Sequence, residues 1–445
     1  MASAYLTKTL GTPTNNKKFT FSCWVKKSNP ASTMDIFHAG PDGSNEAIMC
    51  RFESNGQLTL KHDAGGSQEM LKQTTALFRD PNAWYHIVIV FDTDNSTAED
   101  RQIIYVNGER ITDFASNDNF AGGEDILANK AVSHTIGKRN FDSAHYLDGI
   151  LTHVHFADGQ AYAPTVFGET DATTGIWKPK VSPSVTYGNN GFFLKMDNSA
   201  NMGLDSSGNS NNWTTNGTII QTKDTPSNVF ATINPLDNFY QNNTFSNINN
   251  TVASHSSSYS CCLSTLGVSK GKYYVEAKVS ALTAAVFGVT GKSPTSTGNN
   301  LGTSGFGIGV GENGRLRHEG TNTDSWSSTY TTNDILQIAL DLDNNKFYFG
   351  INGTYQNSAN PSSGTNGVTI LAPSSTDTGF YFFGFSDNNS SGGSTLQYNF
   401  GNGYFGTTAV ASAQTPDDGV GVFEYDPPTG YRALCTKSIN AEEYS

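Results

Sequence analysis

The sequence predicts an all-β protein made of two antiparallel sandwiches in series, joined by a connector rich in Asn, Ser and Gly. Three observations predict it. The first is composition: of 445 residues only 15% are charged, 45 are Gly and 11% are aromatic. No stretch longer than about two turns keeps an i, i+3, i+4 apolar stripe. The second is two blocks of short runs that alternate apolar and polar residues and are punctuated by Asn-Gly turns. The third is the middle of the chain, where that alternation lapses. The boundaries follow as 1–170 for the first sandwich, 171–235 for the connector, 236–405 for the second sandwich and 406–445 for a tail.

In the first block the runs are residues 19–25 (FTFSCWV), 35–38, 47–52 and 57–61, the last entered through Asn55-Gly56. Residues 84–91 (WYHIVIVF) form the strongest run. Residues 102–106 meet 109–112 through Asn107-Gly108, a pair that supplies the positive φ of a tight hairpin at low cost. Residues 134–137 and 147–156 complete a set dense enough for a sandwich. In the middle, 191–219 is saturated with Asn, Ser and Gly and holds one short strand at 191–196, with Trp177 and Trp213 as expected anchors. The second block carries 271–279 (GKYYVEAKV), 285–290, 306–310, 334–343, 346–351, 380–385 and 396–401. Its hairpin turns fall at Asn344-Asn345 and Asn352-Gly353. In the tail, a Pro-Pro-Thr-Gly turn precedes a short apolar run at 431–434, expected to dock on a sandwich or a neighbouring subunit.

The phrases of the first block carry a resemblance. In the order "FTFSCWVKK", "WYHIVIVFD" with "IIYVNGERIT", and "HTIGKRNFDSAHYLDGILTHVHFADGQAYAPTVFGE", residues 5–170 resemble the laminin G and pentraxin-like group of concanavalin A-like sandwiches. In the second block, "GKYYVEAKV", "DILQIALDLDNNKFYFGINGTY" and "YNFGNGYF" resemble a SPRY (B30.2-like) domain. The resemblances imply two concanavalin A-like jelly-roll sandwiches. A third match spans the middle: "DGQA", "FGETD" and "TGIWKPK", then "DSSGNSNNWT", then "DTPSNVFATINPL" resemble a module of phage structural proteins, especially of marine phages. That resemblance implies a virion component.

Charge and cysteine usage narrow the function. The formal net charge is −13, and Lys and Arg are scattered, so phosphate backbones are repelled and nucleic-acid binding is not expected. Residues 1–10 show no secretory pattern. No apolar run approaches membrane-spanning length, so synthesis in a cytoplasm without membrane insertion is expected. The five Cys, at 23, 50, 261, 262 and 435, fit neither a zinc spacing nor a disulfide framework and are read as reduced.

Catalysis is not expected. Glycoside hydrolysis needs two carboxylates roughly 5–9.5 Å apart across a cleft, and on a strand such groups recur at i and i+2. The nearest pair, Asp341 and Asp343, sits beside a turn. His153 and His155 have the spacing of a shared metal, but no third ligand is placed. No phosphate-cradling loop and no Gly-x-Ser-x-Gly elbow is present. Calcium is the one cofactor considered: Asp92, Asp94 and Asn95 are candidate oxygens at a strand end, with Asp148 and Asp158 as further loop oxygens. For recognition, Arg315, Arg317, Trp326 and Tyr330 are the candidates, since SPRY domains bind partners through such inter-strand loops.

The function expected from these readings is a bacteriophage virion structural protein, a tail fibre or appendage that displays its sandwiches to a host-surface glycan or protein. Its expected partners are other virion proteins and further copies of itself, and its place is the exposed surface of the particle. A capsid-borne fibre or decoration protein, a free carbohydrate-binding lectin and a glycan-degrading enzyme are the alternatives.

Overall fold

The computed structural model describes residues 4–41, 46–238, 243–255, 259–292, 301–303, 307–387 and 393–443. They form two compact units, Met1–Gln221 and Thr222–Ser445. Strand pairing in both is antiparallel with one parallel exception, so the all-β, two-sandwich expectation holds.

The first unit contains β1 (Tyr5–Thr9), β2 (Lys18–Lys27), β3 (Met34–Ala39), β4 (Ala47–Phe52), β5 (Gln57–Ala64), β6 (Ser67–Leu77), β7 (Tyr85–Asp92), β8 (Gln102–Val106), β9 (Glu109–Arg110), β10 (Phe114–Asp118), β11 (Ser133–Ile136), β12 (Gly149–Asp158), β13 (Gly168–Thr170), β14 (Trp177–Pro179), β15 (Phe192–Leu194) and β16 (Thr214–Asn216). One sheet has the order β10-β6-β5-β4-β3-β11-β1-β16 and the other β15-β12-β2-β7-β8-β9. Alternation builds the core between them: Phe19, Phe21, Cys23 and Val25 of β2 and Ile87, Ile89 and Phe91 of β7 meet Phe37, Cys50, Phe52, Leu58 and Leu60. Each such side chain contributes about 1.5–3 kcal/mol when fully buried. The Asn107-Gly108 turn adopts φ of +52° and +87°, as the hairpin requires.

The outward side of β2 is buried as well, which simple alternation does not predict. Residues after β12 fold back over it. Thr20 Oγ1 donates to the Gln160 carbonyl at 2.8 Å, and Phe167 packs with Val88 and Val90. Trp177 lies so close over Gly168 that an added Cβ would sit 2.4 Å from its ring.

The Asn/Ser/Gly-rich stretch after residue 170 is built into this unit. Strand β15 pairs with β12, and β16 pairs with β1 at Tyr5, Leu6 and Thr7. Trp213 is buried against Phe192, ring centroids 5.0 Å apart. The phrase DSSGNSNNW locks itself. Asp205 accepts from the backbone N–H groups of Phe193, Ser207 and Asn211, each at 2.8 Å. The Asn209 and Asn211 amides both donate to the Gly191 carbonyl at 2.9 Å. Short polar side chains here take the hydrogen-bonding role that strands play elsewhere.

The second unit contains β17 (Thr244–Ser246), β18 (Thr251–Ala253), β19 (Ser260–Val268), β20 (Lys272–Ala281), β21 (Ala285–Thr290), β22 (Gly307–Gly311), β23 (Leu316–His318), β24 (Thr321–Thr323), β25 (Ile335–Asp341), β26 (Lys346–Ile351), β27 (Thr354–Tyr355), β28 (Val368–Thr369), β29 (Tyr381–Asp387), β30 (Thr395–Asn399), β31 (Tyr404–Phe405), β32 (Thr408–Ala409), β33 (Arg432–Ala433) and α1 (Thr436–Glu443). Phe306, the expected start of β22, lies outside the described residues. The sheets are β17-β18-β30-β20-β25-β26-β27, with β28 beside β26 and β33 beside β20, and β19-β29-β21-β22-β23-β24. The tail docks on this sandwich. Strand β33 runs parallel to β20, the Ala231 N–H donates to the Leu434 carbonyl at 2.9 Å, and Phe423 and Tyr431 pack on Tyr274 and Tyr348. All five Cys are free and buried.

Because β15, β16 and Trp213 belong to the first sandwich, a chain ended after residue 170 is expected to aggregate or melt without cooperativity. A chain ended after residue 221 should unfold in one sharp transition, which circular dichroism melts of the two fragments compare directly.

Candidate functional site

The residues singled out from sequence separate into packed and surface groups. Tyr330 is 3% exposed, and its hydroxyl donates to the Ala285 carbonyl at 2.6 Å; it is a core residue, because its ring lies between the two sheets and its hydroxyl finds strand carbonyls there. Trp326 is half-buried against the same core. Arg317 is 7% exposed, and burial, then Arg315, lowers its pKa. Arg315 remains at the surface and pairs with Asp324. The four thus do not form one exposed binding face.

Asp92, Asp94 and Asn95 do not converge on a cation. Asp92 pairs with Lys18 at 2.8 Å and Asp94 with Lys17 at 3.4 Å, while the Asn95 side chain accepts from the Thr97 N–H at 2.9 Å. Lysine ammonium groups occupy the charge that calcium would take, and the three form a turn. Among the described residues no group of three or more His, Cys, Asp or Glu is placed to hold a metal. Asp158 is fully buried and accepts four N–H groups. Asp341 pairs with Lys272 and holds the Asn344 turn, and Asp343 accepts from the Gly271 N–H. His153 and His155 do not share a face. The register of β12 against β2 shifts between Thr152 and His155, and His153 takes φ of +49°. His155 stacks on Phe193, centroids 3.9 Å apart, and shares a hydrogen bond with the Tyr187 hydroxyl.

A different cluster emerges on the outward face of β3. Asp35 and His38 are completely buried, and His38 lies opposite Met49 on β4 and Thr135 on β11. The segment GKRNFDSAHYL, residues 137–147, covers them as a compact loop. Its base closes through the Leu147 N–H to the Gly137 carbonyl at 2.9 Å. It is held to the sheet by the Asp35 N–H donating to the His145 carbonyl at 2.9 Å and by Thr135 Oγ1 donating to the Lys138 carbonyl at 2.6 Å. Phe141 sets its ring edge-on to His38 at 5.5 Å and carries the Arg139 guanidinium at 4.7 Å. His145 Nδ1 stands 3.6 Å from Asp35, an ion-pair contact too long for a hydrogen bond. Arg51 lies opposite Asp35 on β4. Burial raises the Asp35 pKa, with His145, Arg51 and Arg139 pulling the other way. In the sequence this loop is only part of the family phrase; its one histidine, His145, the basic pair Lys138 and Arg139 and the exposed Phe141 are the trace it leaves there.

Residues 2–166 match the laminin G family described as the Concanavalin A-like lectin/glucanases superfamily. Over 92 residues, 21% of this chain, the sequence is 39% identical to an ATP-dependent RNA helicase, DDX1, of Xenopus laevis, and it spans 12% of that relative's length. Among solved structures, the SPRY domain of human HERC1 is similar at 17% identity and a TM-score of 0.30, over 37% of this chain and 96% of that one. The native heptameric SAP-like pentraxin of Limulus polyphemus is similar at 17% identity and a TM-score of 0.29, over 42% of this chain and 87% of that one.

The electrostatics of the two units oppose each other. In the first, burial lowers His38 and His86 to about 3 and His62 and His134 to about 4, and holds His155 well below its ordinary value. His86 shows how a neutral ring is fixed: its Nδ1 accepts from Trp177 Nε1 at 3.0 Å, so Nε2 carries the proton toward Ser22 Oγ at 2.9 Å. In the second unit, burial raises Glu276 to about 7.

The signs follow by linkage. The unfolded histidines take up protons below about pH 6.5, while the folded ones do not until pH 3–4. The first unit is therefore fully stabilised above that pH and weakens as the pH falls, by at most about 1.4 kcal/mol per pH unit for each histidine. The raised carboxyls of Asp35 and Glu69 offset part of this loss. The protonated Glu276 stabilises the second unit fully below its ordinary value of 4.5, and that contribution is lost as the pH rises through 7. Between pH 7.5 and pH 5 the first unit should lose melting temperature relative to the second. Calorimetry combined with tryptophan fluorescence resolves the two, since Trp24, Trp84, Trp177 and Trp213 all lie in the first unit.

Proposed function

We propose that the chain is a bacteriophage virion structural protein, a tail fibre or appendage that presents two β-sandwiches for contact with a host-surface glycan or protein. The observation that carries this reading is the phage-like phrase set and its place in the fold. Trp177 is seated on Gly168 and hydrogen-bonded to His86, the Asp205 loop locks itself, and residues 229–231 are fastened to the tail. The phrases are scaffold, and a scaffold of this kind suits a rigid displayed module. The lectin-like match over residues 2–166 supports binding of carbohydrate or protein.

In this reading the chain is not an enzyme. It folds in the host cytoplasm, joins other virion proteins and further copies of itself, is exposed on the particle, and takes neither nucleic acid nor membrane as a partner. A net charge of −13 supports the exclusion of nucleic acid. The capsid-borne fibre or decoration protein differs only in where the module is mounted. The free lectin is the second reading, favoured by the same match to a lectin superfamily.

Immunogold labelling of intact virions with an antibody to the second sandwich tests this. Label at the tail is the expected result, and label over the head would make the protein a capsid appendage. Purified particles without label would overturn the virion reading in favour of the lectin.

A further inference from the structure

We propose that Asp35 and His38 form the floor of a binding subsite for a neutral sugar ring, opened when the 137–147 loop lifts. The inference deepens the binding role proposed above and rests on it.

The first support is an unmet hydrogen-bonding demand. Both carboxylate oxygens of Asp35 and both ring nitrogens of His38 have no hydrogen-bond partner among the described residues, although both side chains are completely buried. A buried polar group left in this state is destabilising. The contrast within the same unit is direct, because buried Asp158 has four N–H donors on its two oxygens.

The second support is the cover. The loop closes on itself at its own base through the Leu147 N–H and the Gly137 carbonyl. Within it Arg139 pairs with Asp142, and the Ala144 N–H donates to Asp142 Oδ1 at 3.1 Å. Its grip near Asp35 passes through His145, whose φ is +55°, in the left-handed region that costs a residue with a side chain more than it costs glycine. A left-handed residue and a carboxylate without a hydrogen bond thus meet at one contact, where His145 Nδ1 stands 3.6 Å from Asp35.

The third support is chemical complementarity. A carboxylate accepts from two neighbouring hydroxyls. Burial lowers His38 to about 3, so its imidazole is neutral and offers one donor and one acceptor. Phe141, 37% exposed, gives an apolar ring for the C–H face of a sugar. An anionic group would meet the buried carboxylate of Asp35, so the arrangement selects a neutral ring over an acidic one.

The test uses the full chain. A printed panel of neutral and acidic oligosaccharides is screened, and the strongest neutral binder is titrated by calorimetry into the wild type, Asp35→Asn, Phe141→Ala and, as a control in the second unit, Lys437→Ala. Phe141→Ala should weaken binding roughly tenfold, and Asp35→Asn by roughly tenfold or more. Lys437→Ala should change nothing. Asp35→Asn should melt no lower than the wild type at pH 7.5, since the amide removes a buried charge. Sugar should also change hydrogen exchange across 138–146. If Asp35→Asn does not fold, Phe141→Ala at the surface decides the matter alone. A sugar bound equally by wild type and Phe141→Ala, binding restricted to acidic sugars, or no sugar bound at all would each overturn the inference. Virion labelling is independent of these outcomes, so the failure of one reading is distinguishable from the failure of the other.

Discussion

Buried carboxylates that gather backbone N–H groups from distant segments hold these sandwiches together. In the first unit Asp158 Oδ2 accepts from Thr14 at 2.6 Å and Asn190 at 3.1 Å, while Oδ1 accepts from Asn15 at 3.2 Å and the Asn129 amide at 2.6 Å. Three distant stretches of chain, at 14–15, 129 and 190, meet on one side chain at the end of β12. In the second unit Glu276 accepts from the backbone of Glu424 and Tyr425, the Tyr274 hydroxyl and the Asn399 amide. It thereby clamps the tail to the outer face of β20. A buried charge is tolerable only when its oxygens are so occupied. Each carboxylate therefore makes its sandwich depend on loops far away in sequence.

That rule gives Asp35 its meaning. It is as buried as Asp158 and Glu276, yet its oxygens have no hydrogen-bond partner among the described residues and only His145 Nδ1, at 3.6 Å, stands near, and the loop above it rests on a left-handed histidine. Scaffold carboxylates are saturated and fix the fold. An unsaturated one beside a neutral imidazole leaves hydrogen-bonding capacity for a ligand, at a cost in stability.

Much of the fold was legible because strand alternation is a local signal. The inward side chains of β2 and β7 were readable at period two, and Asn107-Gly108 announced its hairpin. Trp177 and Trp213 stood out as anchors. What was not legible depended on long-range pairing. Residues 171–235 read as a connector because Asn, Ser and Gly lack the apolar pattern, yet Asp205, Asn209 and Asn211 lock part of that stretch by side-chain hydrogen bonds. His153 and His155 looked like one face until a register shift parted them. Tyr330 could be read as a loop aromatic or as a core one, and the packing of two sheets puts it inside. The Asp35 cluster was invisible for the same reason: its members lie at 35, 38, 51, 139 and 145, and tertiary folding alone assembles them.

Hydrogen exchange on Asp158→Asn tests the central claim most directly. The amide group would set a donor against N–H donors at one side of the cluster. The account predicts that residues 11–16, 126–130 and 186–191 lose protection together, by roughly 100-fold, while the second unit is unchanged. Unaltered protection in those three stretches would contradict it.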